Sequence, residues 1–104
     1  MPSPLYSLLK LFESPGGYLV EIARTAGQSP VTWVNEWIWI EQRHAITLQP
    51  VKDGREFVFE EGNLSLDNKQ GELRWSHGRV DELKRKDTQA LPFPARSLLE
   101  LHLG

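Results

Sequence analysis

A chain of 104 residues with 39% hydrophobic and 25% charged residues has the size and balance of one globular domain with one core. It contains no cysteine, which excludes disulfides, thiolate metal sites and cysteine nucleophiles. Its net charge of −2 is unevenly laid: residues 1–62 hold five Lys/Arg against eight Asp/Glu, and residues 63–104 hold seven against six. The N-terminus lacks a basic stretch followed by an apolar run, so no signal peptide is expected. No apolar stretch approaches the ~20 residues that span a bilayer. A cytoplasmic protein without a membrane segment is the expectation.

Taken in chain order, Ser3-Pro4 forms a cap-plus-proline start. Leu5, Leu8, Leu9 and Phe12 follow at i, i+3, i+4 and i+7, one face of a helix. Ser14-Pro15-Gly16-Gly17 breaks that element. Leu19, Ile22, Ala23 and Ala26 repeat the helical spacing, and Gly27 stands where a helix ends. Ser29-Pro30 is a second cap-plus-proline start. The third element reads two ways. As a helix, it turns Trp33, Trp37 and Ile40 to one side. As a strand, it puts Val31, Trp33, Trp37 and Trp39 on one face and Val34, Ile38 and Ile40 on the other. Context favours the helix, whereas the Val, Thr, Trp and Ile content favours the strand.

Beyond this point the pattern turns β-like. Ile46, Leu48 and Val51 lead to Lys52-Asp53-Gly54-Arg55 and then to Phe57, Val58 and Phe59. Asp-Gly between apolar runs marks a hairpin. Leu64 and Leu66, a turn at 68–71, and Leu73 and Trp75 mark a second. Ala90–Pro94 reads as a loop. The terminal run, with Leu98, Leu99, Leu101 and Leu103, reads as a short helix or an edge strand.

The stretch LVEIARTAGQSPVTW resembles a helix-turn-helix. Ala23 sits where the two helices of that motif touch closely, Gly27 sits at its turn, and Ile22 and Ala26 match the buried positions around them. With the downstream hairpin as a wing, residues 3–60 resemble bacterial winged-helix domains such as the N-terminal domain of biotin-operon repressors. The resemblance implies an α+β fold of three N-terminal helices plus a β-hairpin wing over residues 1–62. A C-terminal extension over 63–104 would be packed on it as one unit. The alternative is a mainly β small barrel or sandwich with an N-terminal helix, in which the tryptophans of the third element form a core stripe.

In winged-helix domains the third helix enters the major groove, and its exposed side chains read bases. The resemblance therefore implies DNA contacts from Thr32, Asn35, Gln42 and Arg43, with Lys52 and Arg55 at the wing tip on phosphates. Asn, Gln and Arg are suitable base readers. Opposing this, Glu36 would repel phosphates, and phosphate contacts supply much of the affinity for DNA. Lys84-Arg85-Lys86 is the densest basic cluster, but Asp81, Glu82 and Asp87 surround it, as on a solvated mixed-charge face. Trp39 would point away from the helical core, so it and Leu98, Leu99, Leu101 and Leu103 are candidate protein-interface or dimer residues. His44, His77 and His102 share no metal-ligand spacing, and no residue order supports a nucleophile with its base.

Three readings follow. One is a small winged-helix transcription regulator that binds double-stranded DNA as a dimer. Another is a non-enzymatic protein-protein interaction adaptor built on a winged-helix or small β domain. The last is the mainly β domain. No catalytic residues, cofactor, metal or small-molecule ligand are inferred.

Overall fold

The computed structural model describes residues 6–26, 30–51, 56–59, 62–67, 72–75 and 83–104. Among them, β1 (Tyr6–Ser14), β2 (Gly17–Ala26), β3 (Thr32–Glu41) and β4 (His44–Thr47) follow one another as antiparallel neighbours. Next come β5 (Gln49–Val51), β6 (Glu56–Phe59), β7 (Gly62–Asp67) and β8 (Glu72–Trp75), a second antiparallel series. β9 (Lys84–Lys86), a single 3-10 turn (Thr88–Ala90) and helix α1 (Phe93–Leu103) complete the chain. The first sheet has the order β4-β3-β2-β1-β9, and the second β5-β6-β7-β8.

The winged-helix expectation is thereby corrected. All three segments read as helices are strands, and the described helix lies at the C-terminal end. The mainly β alternative matches in its strands but not in its helix, which it placed at the N-terminus. The strand pairs expected on either side of Asp53-Gly54 and of residues 68–71 are present, with Val51 opposite Glu56 and Leu66 opposite Leu73, while the turn residues themselves lie outside the described residues.

Two features imitated helical spacing. The β1–β2 register slips between Leu8 and Lys10, so Leu9 is an extra residue in a β-bulge, and it stands exposed. The bulge resets the alternation. Leu8 and Leu11, three apart, fall on one face, and Phe12 falls on the other. The sheet is also covered on both faces, so apolar residues occupy both parities of β2 and β3 and the period of two fades. Trp37, Ile38, Trp39 and Ile40 form a continuous buried run.

One face carries Phe12, Leu19, Trp37, Trp39 and Leu48 as a cluster, with the Phe12 and Trp37 rings stacked at 6.4 Å. The other face carries Leu11, Val20, Ile22, Ile38 and Ile40, and α1 lies against it through Ala95 and Leu99. Each large side chain taken fully out of water contributes roughly 1.5–3 kcal/mol. Pro94 suits the first turn of α1, where an N–H has no helical partner. Gly104 closes the helix at φ +84°, donating its N–H to the Glu100 and Leu101 carbonyls.

Two polar contacts tie α1 to β1 and β4. The Tyr6 hydroxyl donates to Glu100 Oε1 at 3.3 Å, and Thr47 Oγ1 lies 2.6 Å from His102 Nε2. Burial, then the Glu100 charge and hydrogen bond, hold the Tyr6 hydroxyl above its ordinary pKa of 10.0, against an opposing effect of Arg96. The unfolded chain thus ionises Tyr6 first. Its contribution to stability is complete below pH 10.0 and is lost as pH rises through the raised value. Tyr6→Phe is therefore expected to remove part of the alkaline fall in stability. Urea midpoints of the two proteins, measured from pH 8 to 11, check this.

Candidate interaction surface

Among the described residues, those expected to read DNA share no helix and no common patch. Thr32 and Asn35 lie on the first half of β3, whereas Gln42 and Arg43 form the tight turn between β3 and β4. At about 3.3 Å per residue, Asn35 and Gln42 are roughly 23 Å apart. Lys52 and Arg55 lie outside the described residues. The recognition helix on which the DNA reading rested is a strand, buried on both faces for half its length.

The expected interface residues divide. Trp39 is 2% exposed and Leu99 is fully buried, so both serve the core. Leu98 and Leu103 are half-buried against α1's sheet face, and Leu101 is exposed. Of the histidines, His102 meets Thr47, His44 lies 3.9 Å from Glu41, and His77 lies outside the described residues.

A groove of about 500 Å³ opens between the β1–β2 turn, the β3–β4 turn and the start of α1. Glu13, Tyr18, Glu41, Gln42, Pro92 and Pro94 are among its walls. Its carboxylates are Glu13, which lies opposite Lys84 across the β1–β9 pair, and Glu41, whose Oε1 is 3.9 Å from His44 Nε2. Ser14 Oγ is engaged in the turn, donating to the Gly17 carbonyl and accepting from the Gly16 N–H. Among the described residues no group of His, Cys, Asp and Glu is placed to hold a metal ion.

The first half of β3 is the more informative surface. The β3–β4 register begins only at Ile38. Just before it, the Leu48 N–H donates to the Trp37 carbonyl at 2.8 Å, after which the chain leaves β3 for β5. Trp37 therefore turns its main-chain groups away from β2. Because such groups alternate along a strand, those of Trp33 and Asn35 point to the same side. Among the described residues no strand runs beside Trp33–Glu36 on that side. Exposed apolar side chains lie there, Trp33 at 56% and Val34 at 36%, with Val31 at 60% just before the strand. Arg24 Nη2, on β2, holds Glu36 Oε1 at 2.9 Å and leaves Val34 beside it without charge of its own.

The opposite edge of the sheet is built differently. There β9 presents Lys84, Arg85 and Lys86, all exposed. Charged side chains on an edge strand resist pairing with another chain. Residues 31–36 carry no lysine, no proline and a single carboxylate.

Sequence reasoning missed this surface because it assigned Trp33 to the core in both of its readings. The alternation that places Trp33 with Trp37 was visible. That β4 stops short of Trp33 was not.

Comparison with family models, with curated proteins and with solved structures finds no match. Among the described residues no helix is long and apolar enough to cross a membrane.

Proposed function

We propose that this chain is a non-enzymatic protein-interaction domain that takes an extended segment along the open half of β3. The observation that carries the reading is Trp33, 56% exposed on a stretch of strand whose outward main-chain groups have no neighbouring strand among the described residues. Strand addition to a sheet edge draws affinity from main-chain hydrogen bonds and specificity from alternate side chains. Here Trp33 and Asn35 supply the main-chain groups, and the Trp33 indole on one face and Val34 on the other supply the side-chain contacts. Tryptophan is enriched among residues that dominate interfaces. We place the protein in the cytoplasm, whose reducing conditions a chain without cysteine suits.

The test is selection of peptides from a random phage-displayed library against the dilute protein, followed by fluorescence anisotropy with the enriched sequences. Asn35→Pro removes one outward N–H and leaves the β2 ladder intact, because Asn35 faces away from β2; proline is tolerated at such edge positions. It is expected to weaken binding at least tenfold, whereas Phe93→Ala, a change at an exposed apolar residue of α1, leaves binding unchanged. Failure to enrich any peptide, or full binding by Asn35→Pro, overturns the reading.

A further inference from the structure

We infer that the segment received along β3 is the same stretch of a second copy, two β3 strands pairing antiparallel about a two-fold axis at Val34. This rests on the strand-accepting reading above and names its partner.

The register follows from the groups that point outward. Antiparallel strands exchange N–H and C=O bonds between residues whose main-chain groups both face the partner. Trp33 and Asn35 are such residues. Setting Trp33 opposite Asn35 of the second copy, and Asn35 opposite its Trp33, satisfies both pairs at once and puts Val34 opposite Val34. Two other symmetric registers fail. Centring on Trp33 calls on Val31, which precedes the strand. Centring on Asn35 drives Trp33 of the second copy against Trp37, where Leu48 already donates. The Val34 register spans Thr32 to Glu36, all within β3, and stops short of Trp37, whose carbonyl Leu48 occupies.

Charge and packing agree with that register. Glu36 meets Thr32 of the second copy rather than another Glu36, and its carboxylate already pairs with Arg24. Like charges do not face each other. The two Val34 side chains meet directly on one face. On the other face the two Trp33 rings lie on a diagonal, a spacing that aromatic side chains can bridge. A contact this short buries less than the ~1,200–2,000 Å² of a stable complex, so the dimer is expected to be weak and reversible. Isologous two-fold contacts of this kind are the commonest oligomeric arrangement.

The chain has no cysteine, so a single introduced thiol reports one position. A directly opposed, non-hydrogen-bonded pair has Cα atoms ~4.5 Å apart, within disulfide reach. Val34→Cys at 100 µM under mild oxidation is expected to give covalent dimer at least tenfold faster than Leu101→Cys, an exposed position far along the chain. Adding Asn35→Pro should return Val34→Cys to the Leu101→Cys rate. Analytical ultracentrifugation of the unmodified chain should show reversible dimer over the same concentrations. Equal rates for the two thiols, or a rate that Asn35→Pro leaves unchanged, overturns the proposal, as does a monomer at 500 µM. If monomer is found while selected peptides still bind in an Asn35→Pro-sensitive way, the second copy is the wrong partner and the strand-accepting edge stands. If selection also fails, both fall.

Discussion

Replacing Gly17 with alanine is expected to destabilise the protein by about 3 kcal/mol, a large share of the ~5–15 kcal/mol that holds a domain of this size together. Gly17 opens β2 directly after the turn and lies against β3. A Cβ at this position would come 2.3 Å from the Ile40 carbonyl oxygen and 3.0 Å from Cζ2 of the Trp39 ring. Neither neighbour can yield. The Ile40 carbonyl belongs to the strand paired with β2, and Trp39 is 2% exposed inside its cluster. The φ of +156° adds backbone strain for any L side chain. Gly16, one residue earlier, is the control. Its added Cβ would meet only ordinary contacts at 3.9 Å, and Gly16→Ala is expected to shift stability by no more than about 0.5 kcal/mol. Urea unfolding followed by tryptophan fluorescence measures both variants. Equal midpoints would show that the turn opens without cost and that the close approach of β2 to β3 is not a constraint.

Leu99→Ala is expected to cost a further large amount, roughly 3 kcal/mol, the middle of the range for a fully buried leucine cut to alanine. Leu99 is fully buried where α1 meets Leu11, Ile38 and the other apolar residues of that face. The cavity cannot close by moving a single side chain, because the strands beneath are held by their ladders. Leu101, two residues on, is 80% exposed, and Leu101→Ala is expected to be neutral within about 0.5 kcal/mol. Hydrogen exchange adds a second reading. Leu99→Ala should speed exchange along α1 before it reaches the centre of β2, since the helix is held by few buried side chains and two polar contacts. Uniform acceleration across helix and sheet would instead mean that α1 and the sheet unfold as one unit.

The two leucines show what a local pattern can and cannot convey. Leu98, Leu99, Leu101 and Leu103 looked alike as a candidate interface. Helical geometry, together with where the sheet lies, sends Leu99 inward and Leu101 outward. The same holds for Trp39. It was expected to be exposed on a helix, and as part of a strand it is buried over the Gly16-Gly17 turn, with its ring closest to Gly17.

Several features were legible without the fold. The absence of cysteine removed a class of chemistry. The Asp-Gly and residue 68–71 turns marked strand pairs that are present, because a hairpin joins neighbours in sequence and its turn residues are local. The parity of β3, with Trp33, Trp37 and Trp39 on one face and Val34, Ile38 and Ile40 on the other, is one of the two arrangements the residues allow. The choice between the options was not legible. The bulge at Leu9 broke the alternation of β1, and two-sided cover erased it in β2, so helical spacing arose where strands exist. Only the tertiary structure decided that β4 pairs with β3 from Ile38 onward and leaves Trp33 outside. Strand neighbours and strand ends depend on contacts between residues far apart in sequence, and the period of apolar residues along one segment carries no information about them.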